Sequence, residues 1–162
     1  MDRDASIEQV AGILVREDLQ FQMAPEGDGY RLLFGSAAVF VAFLPWREGV
    51  SITVSAPILS DIDPEAPGAA VALNRLNELN LSHRFLKFVF DDGTLVAIYD
   101  LLGDRLQAEE LLNAVYVVAA AADHLDDELI LEMGGKRFED VLEEIGEALE
   151  AEDEEAEDEE ER

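Results

Sequence analysis

The side chains that could do acid–base or metal chemistry are two histidines among many carboxylates, because the chain holds 38 acidic residues and no cysteine. His124 lies in an acidic stretch, but on a helix only residues three or four positions apart share a face. That leaves Asp127 and Glu128 as its neighbours, a set that falls short of the ligand geometry metals require. His83 follows a predicted helix and is interpreted as a loop or capping residue. The sequence therefore predicts no metal site.

The other chemical motifs that the sequence could offer fail on spacing or composition. A calcium loop starting at Asp61 would need a glycine and a glutamate where Ala66 and Ala72 stand. The missing cysteines exclude disulfides, thiolate nucleophiles and zinc–thiolate sites. No serine or threonine stands in a nucleophile motif, no glycine-rich phosphate loop is present, and nothing selects a catalytic pair from the carboxylates. The sequence predicts a non-enzymatic protein without a cofactor.

The overall charge is strongly negative, because 38 acidic side chains stand against 11 basic ones and give a formal net charge of −27. Such a charge repels phosphate backbones and anionic lipids, so the sequence predicts neither nucleic acid nor membrane as a partner. The first residues do not resemble a signal peptide, and the uncharged stretches 32–46 and 111–122 are shorter than a spanning helix requires. We therefore expect a cytoplasmic protein.

The acidic residues become much denser beyond Gly134-Gly135. The segment 139–162 carries 15 acidic residues and one basic residue, and its start has apolar residues at helical spacing. This pattern predicts a first domain over 1–138 and an acidic C-terminal extension over 139–162, with a short helix followed by a disordered tail. The tail is interpreted in three ways: it keeps the protein soluble, it attracts a basic partner by its charge, or it covers the protein's own binding surface.

The body is predicted to contain both helices and antiparallel strands. Ser6 and Gln9 form a capping box for the first helix, and Asp92-Gly93 between two apolar runs predicts a β-hairpin. The fold class is α+β, an antiparallel sheet of about five strands with helices packed on it, in the order α-β-β-β-α-β-β-α. The predicted strands cover 30–34, 37–44, 50–56, 84–90 and 94–99, with a further alternating stretch at 21–24. The second and third helices are expected over 64–80 and 104–133.

Two apolar features suggest a surface for a partner. The long helix has an apolar stripe wider than one sheet needs, so it is either sandwiched within the monomer or in contact with a second subunit. The only tryptophan ends the most apolar strand and is interpreted as a rim residue or as an anchor for a partner. The candidate partner or dimer surface comprises Phe40, Phe43, Trp46, Leu111, Val115, Val118, Ala122 and Leu125.

The segment 73–135 resembles the YbjN and type III secretion chaperone-like family of bacterial proteins. The residues that carry the resemblance are Leu73-Asn74-Arg75-Leu76-Asn77, Lys87-Phe88-Val89-Phe90-Asp91-Asp92-Gly93, Tyr99-Asp100-Leu101-Leu102, Ala108-Glu109-Glu110-Leu111-Leu112 and Asp126-Asp127-Glu128. The resemblance implies the α+β fold of small dimeric chaperones, which bind an extended client segment on an apolar surface without nucleotide and without catalysis.

The function expected from these observations is a chaperone-like binding module that holds a client protein or peptide segment. We expect a homodimer whose subunit contact uses the long helix, and an acidic surface that favours clients with basic flanks. The alternative is an acidic decoy or histone-chaperone-like protein that acts through its polyanionic tail on basic partners.

Overall fold

The computed structural model describes residues 2–24, 27–63, 65 and 69–144. The predicted tail therefore lies outside the described residues, as does the predicted start of the second helix at Pro64. The elements in chain order are α1 (Arg3–Arg16), β1 (Phe21–Met23), β2 (Gly29–Phe34), β3 (Ala37–Trp46), β4 (Gly49–Ser60), α2 (Ala69–Ser82), β5 (Lys87–Asp91), β6 (Thr94–Leu102), α3 (Ala108–Met133) and β7 (Lys136–Arg137). Residues 138–144 are again helical.

The strands form one antiparallel sheet in the order β1-β2-β3-β4-β6-β5, and the short β7 pairs with the end of β4. The predicted α+β class and antiparallel sheet are confirmed, with seven strands instead of about five. The predicted hairpin is also confirmed: Asp92 and Gly93 both have positive φ angles, 45° and 75°, as a two-residue turn between twisted strands requires.

Two helix starts differ from the predicted ones. Asp2 caps α1, because its carboxylate accepts a hydrogen bond from the Ala5 backbone amide at 2.8 Å, whereas Ser6 is buried inside the helix. The long helix α3 begins at Ala108, with Gln107 as its N-cap and Glu110 completing the capping box. The predicted cap of α1 is four residues too late and that of α3 is three residues too early, because Ser6 and Asp104 are residue types that also accept the first amide hydrogens of a helix.

The core lies between one face of the sheet and the helices. Alternate residues of the central strands point into it, and α1 and α3 both pack on β3 and β4. The apolar stripe of α3 is buried against the chain's own sheet and α2, with Leu125 partly buried at its end, so the long helix is sandwiched within the monomer. On the far side of α3 Leu131 is exposed, whereas Tyr116 is half-exposed and packs on Phe34 of β2.

The opposite face of the sheet, called the outer face below, carries the other set of alternating residues. On β3 these are Phe40 and Leu44, and on β6 they are Ile98 and Asp100, with the small polar residues of β4 between them. Because the described helices α1 and α3 pack on the core face, the central part of this outer face remains accessible. The helix at 138–144 meets this face at Phe40, through Phe138.

Candidate functional site

A groove of about 790 Å³ opens on the outer face at the end of the β3–β4 hairpin. Its walls come from four neighbouring strands, β3, β4, β6 and β5, and are mainly apolar. Three large side chains at its rim are more than half exposed: Leu44 at 52%, Trp46 at 53% and Leu102 at 63%. We call this feature the Trp46 groove. Exposed apolar residues grouped around a concavity are typical of a binding surface.

The local backbone explains why Trp46 stands at the rim. Trp46 pairs with Gly49 as the last pair of the β3–β4 ladder, and Arg47 takes a positive φ of 53° in the turn between them. The Arg47 guanidinium lies 5.9 Å from the centre of the indole ring, within cation–π range. The indole is therefore held at the end of a hairpin, with half of its surface free for a partner.

Three polar side chains of the groove, Thr53, Lys87 and Asp100, are paired with one another. Lys87 Nζ donates to Asp100 Oδ2 at 2.9 Å, and the Thr53 hydroxyl donates to Asp100 Oδ1 at 2.8 Å. Burial alone would raise the pKa of the Asp100 carboxyl, but the hydrogen bonds from Lys87 and Thr53 and the Lys87 charge outweigh it and lower that pKa below its ordinary value. The carboxylate therefore stays ionised near neutral pH, and the groove offers apolar contact over a neutralised ion pair.

The three aromatic candidates of β3 do not share one face. Phe40 and Trp46 lie an even number of residues apart and both belong to the outer face, whereas Phe43 is an odd number away and points into the core. Phe43 is only 3% exposed and packs edge-to-face on Tyr30 at 6.0 Å. Phe43 is therefore removed from the candidate partner surface, and Phe40 and Trp46 remain on it.

The helix candidates are buried within the chain itself. Leu111, Val115 and Val118 are fully buried, Ala122 is nearly so, and Leu125 is partly buried against the same core. Their expected role as an exposed dimer surface is corrected here, because the stripe they form faces the sheet of the same chain. The apolar surface of α3 is wide because the helix contacts both the sheet, at β3, β4 and β6, and the helix α2.

The histidines take structural positions. His83 follows α2, where its Nδ1 lies 3.0 Å from the Leu79 carbonyl oxygen and its ring packs on Phe88. His124 is exposed, with Nδ1 2.9 Å from the Ala120 carbonyl oxygen. Over the described part of the chain, no group of three metal-ligating side chains comes together.

Asn80 has a role that the sequence did not reveal. Its side-chain amide accepts a hydrogen bond from the Phe88 backbone N–H at 2.8 Å and donates one to the Phe88 carbonyl at 3.1 Å. A side chain that pairs with both backbone groups of an edge-strand residue blocks that edge against another strand. The regular spacing of Asn74, Asn77 and Asn80 suggested only a solvated helix face.

The chain after α3 crosses to the outer face. Gly134 and Gly135 have positive φ angles of 72° and 85°, and β7 then pairs with Ser60 and Leu59 at the end of β4. Phe138 follows and packs edge-to-face on Phe40, with 6.1 Å between ring centres. The sequence indicated a helix near here, but not β7 or the contact with the sheet.

A helix-backed antiparallel sheet with an open, partly apolar outer face places this protein in the class of type III secretion chaperone folds. A model of the family described as "T3SS (YopN, CesT) and YbjN peptide-binding chaperone 1" matches residues 4–141. The chain belongs to this family, which confirms the resemblance seen in 73–135 and extends it over the whole body. The family is one of peptide-binding proteins, and within the described residues no helix is long and apolar enough to span a bilayer.

Solved structures support the fold. The chain is similar to one in the "Crystal Structure of the ExsC-ExsE Complex", with a TM-score of 0.58 and 22% identity over 78% of this chain and 96% of the other. A chain of the "Structure of the HopA1-SchA Chaperone-Effector Complex" gives 0.54 and 12% over 78% and 98%. An uncharacterized protein from Methanothermobacter thermautotrophicus gives 0.52 and 15% over 78% and 97%. No curated protein matches the chain.

Proposed function

We propose that this protein holds an extended segment of a client polypeptide on the outer face of its sheet, with the Trp46 groove as the main anchor site. The observation that carries the proposal is the cluster of exposed Leu44, Trp46 and Leu102 around a concavity in a chain of a peptide-binding family. Binding needs no nucleotide and no catalysis, and we place the protein in the cytoplasm.

The dimensions of the groove suit an extended peptide. Its walls belong to four adjacent strands, so it spans three inter-strand spacings, or about 14 Å. An extended chain covers that distance in four or five residues at about 3.3 Å each. Covering the exposed half of Trp46 removes on the order of 100 Å² from water, which contributes about 2.5 kcal/mol. This burial alone changes Kd by somewhat less than a hundredfold, so Trp46 supplies a substantial part of the affinity and the rest comes from the other contacts of the groove.

The charge of the chain favours clients with basic flanks. The groove itself contains the paired Lys87 and Asp100 and the guanidinium of Arg47, so the preference for basic flanks comes from the acidic chain around the groove. The net charge of −27 on the whole chain attracts basic segments at long range and accelerates their association. We therefore expect a client segment with an apolar anchor between basic residues.

A homodimer remains part of the proposal, with a different contact surface from the one first expected. The α3 stripe is covered, whereas Leu73 and Leu81 of α2 and the following Phe85 are large apolar residues that are all more than half exposed. We assign the subunit contact to this side. Light scattering of the Leu81→Asp variant tests it: a dimer should become a monomer, and a dimer that persists contradicts the assignment.

The client site can be tested through the only tryptophan of the chain. Extended peptides of about 10 residues, each with one large apolar residue and either basic or acidic flanks, are titrated into the full-length protein. Basic-flanked peptides should saturate and shift the Trp46 emission to shorter wavelength, because the indole leaves water. Leu102→Ala should weaken binding by about tenfold, whereas Leu131→Ala, the same change on the exposed side of α3, should not.

Two results would contradict the proposal. Peptides that bind without any change in Trp46 emission use another surface, and equal weakening by both leucine variants excludes the groove as the specific site. The acidic-decoy alternative rests on the charge of residues 139–162 alone. It predicts that basic peptides bind regardless of an apolar anchor, and that high salt abolishes the binding.

A further inference from the structure

The body of the protein holds its own segment 136–138 in the manner of a bound peptide. Its first two residues are extended and add to the free end of β4, where Lys136 pairs with Ser60 and Arg137 pairs with Leu59, and Phe138 begins the following helix. Phe138 then places its ring edge-to-face on Phe40 of the outer face. Strand addition combined with an aromatic anchor is a known way for sheets to recognise short peptides.

Three acidic residues of the body lie near the basic residues of this segment. Lys136 Nζ lies 3.6 Å from Asp61 Oδ2, just beyond the end of β4, and its shorter pair, at 2.6 Å, is with Glu144 of the helix that follows the segment. The Arg137 guanidinium pairs with Asp127 and lies 4.0 Å from Asp126 Oδ2, near the end of α3. The site thus consists of the free end of β4, the acidic side chains beside it and the ring of Phe40. It matches a segment with two basic residues followed by an aromatic one. We call it the Phe40 site.

The resident segment is held by a short strand and by partly solvated side chains. Its strand is two residues long, and both basic side chains are about one-third or more exposed. Gly134 and Gly135 precede it, and glycines change their backbone angles at little steric cost. An element with so few ladder bonds and partly solvated contacts opens at much lower free energy than the whole domain.

We propose that the Phe40 site binds client segments of the form basic–basic–aromatic, and that the chain's own residues 136–138 occupy this site until a client replaces them. This inference rests on the proposed function and extends it to the sequence of the client. Phe40 and Trp46 lie on the same strand and face, six residues or about 20 Å apart. A client that follows β3 over this distance would reach both the Phe40 site and the Trp46 end of the groove.

The test uses a fluorescein-labelled peptide with the sequence of residues 134–141, added to the full-length protein and followed by fluorescence anisotropy. Phe138→Ala weakens the resident segment, so the variant should bind the probe about tenfold more tightly than the unmodified protein. Phe40→Ala should abolish this binding, as should a probe with alanine in place of its phenylalanine.

Phe34→Ala is the matched control. Phe34 is also a partly buried phenylalanine in an edge-to-face pair, with Tyr116 at 5.7 Å, on the helix-covered side of the sheet. This variant should bind the probe as the unmodified protein does. A general loosening of the fold would raise probe binding in both variants and would contradict the inference.

Other results overturn the inference and leave the proposed function standing. The probe could bind equally to the unmodified protein and to Phe138→Ala, or bind to neither. Either result means that residues 136–138 do not occupy a client site. The Trp46 emission titration remains informative in that case, because it reads the groove and not the Phe40 site. A dimer in light scattering that Phe138→Ala converts to monomer would make the Phe40 site a contact between copies instead.

Discussion

Replacing Leu111 by alanine tests whether the apolar stripe of α3 belongs to the monomer core. Leu111 is 0% exposed and packs with the sheet, so its truncation removes apolar burial and leaves a cavity between α3 and the strands. Such changes cost about 3 kcal/mol when the site cannot collapse fully. For a domain of this size that loss lowers the melting temperature by about 10 °C.

The assay is thermal unfolding followed by circular dichroism at two protein concentrations about 100-fold apart. The loss for Leu111→Ala should be the same at both concentrations, because the contact lies within one chain. Leu131→Ala is the matched control on the same helix, and its side chain is 87% exposed, so the variant should melt like the unmodified protein. A loss that disappears at high concentration would place Leu111 at a subunit interface and refute the assignment.

Further predictions concern an ion-pair cluster, a titrating group and a turn. Arg75→Ala should cost about 1–2 kcal/mol in urea unfolding, because α2 loses its ion pair to Glu128 of α3, and Arg75→Lys should cost less. The pKa of Asp100 is lower in the folded protein than in the unfolded chain, so the ionised carboxylate stabilises the fold at any pH above the unfolded-state pKa. This stabilisation is lost as the pH falls through the folded-state pKa. In Asp100→Asn the urea concentration at the unfolding midpoint should therefore change less with pH, between about pH 5 and about pH 2, than in the unmodified protein. An equal change in both proteins would contradict this. Gly93→Ala should cost about 1–2 kcal/mol, because φ is positive and the new Cβ would meet the Ile62 carbonyl at 3.0 Å; Gly35→Ala, with more room, should cost less.

Local signals in the sequence were sufficient for the element types and the antiparallel sheet. The Asp92-Gly93 turn predicts its hairpin because few residue pairs adopt two successive positive φ angles. The strands of the meander follow from a two-residue alternation that places one side chain in two on the core face. The residues that carry the family resemblance then identified the fold, which the match over 4–141 confirms.

The candidate surface was predicted less well, because exposure depends on what packs against each face. Phe40 and Phe43 look equivalent in an apolar run, and only their odd spacing on a strand separates the outer face from the core. The stripe through Val115 and Val118 is as compatible with a dimer as with a core until the sheet and α2 are placed around it. A two-residue strand such as β7 leaves no periodic signal at all.

The most direct test of the client site is an NMR titration of the isotope-labelled protein with a basic-flanked apolar peptide. The account predicts that the amide signals of Leu44, Thr53 and Ile98 shift on binding, because these residues form the Trp46 groove. The signals of Leu131, on the exposed side of α3, and of Tyr116, which packs on Phe34 on the core side of the sheet, should stay in place. Shifts confined to α3, or to the acidic residues after 144, would contradict the claim that the outer face of the sheet holds the client.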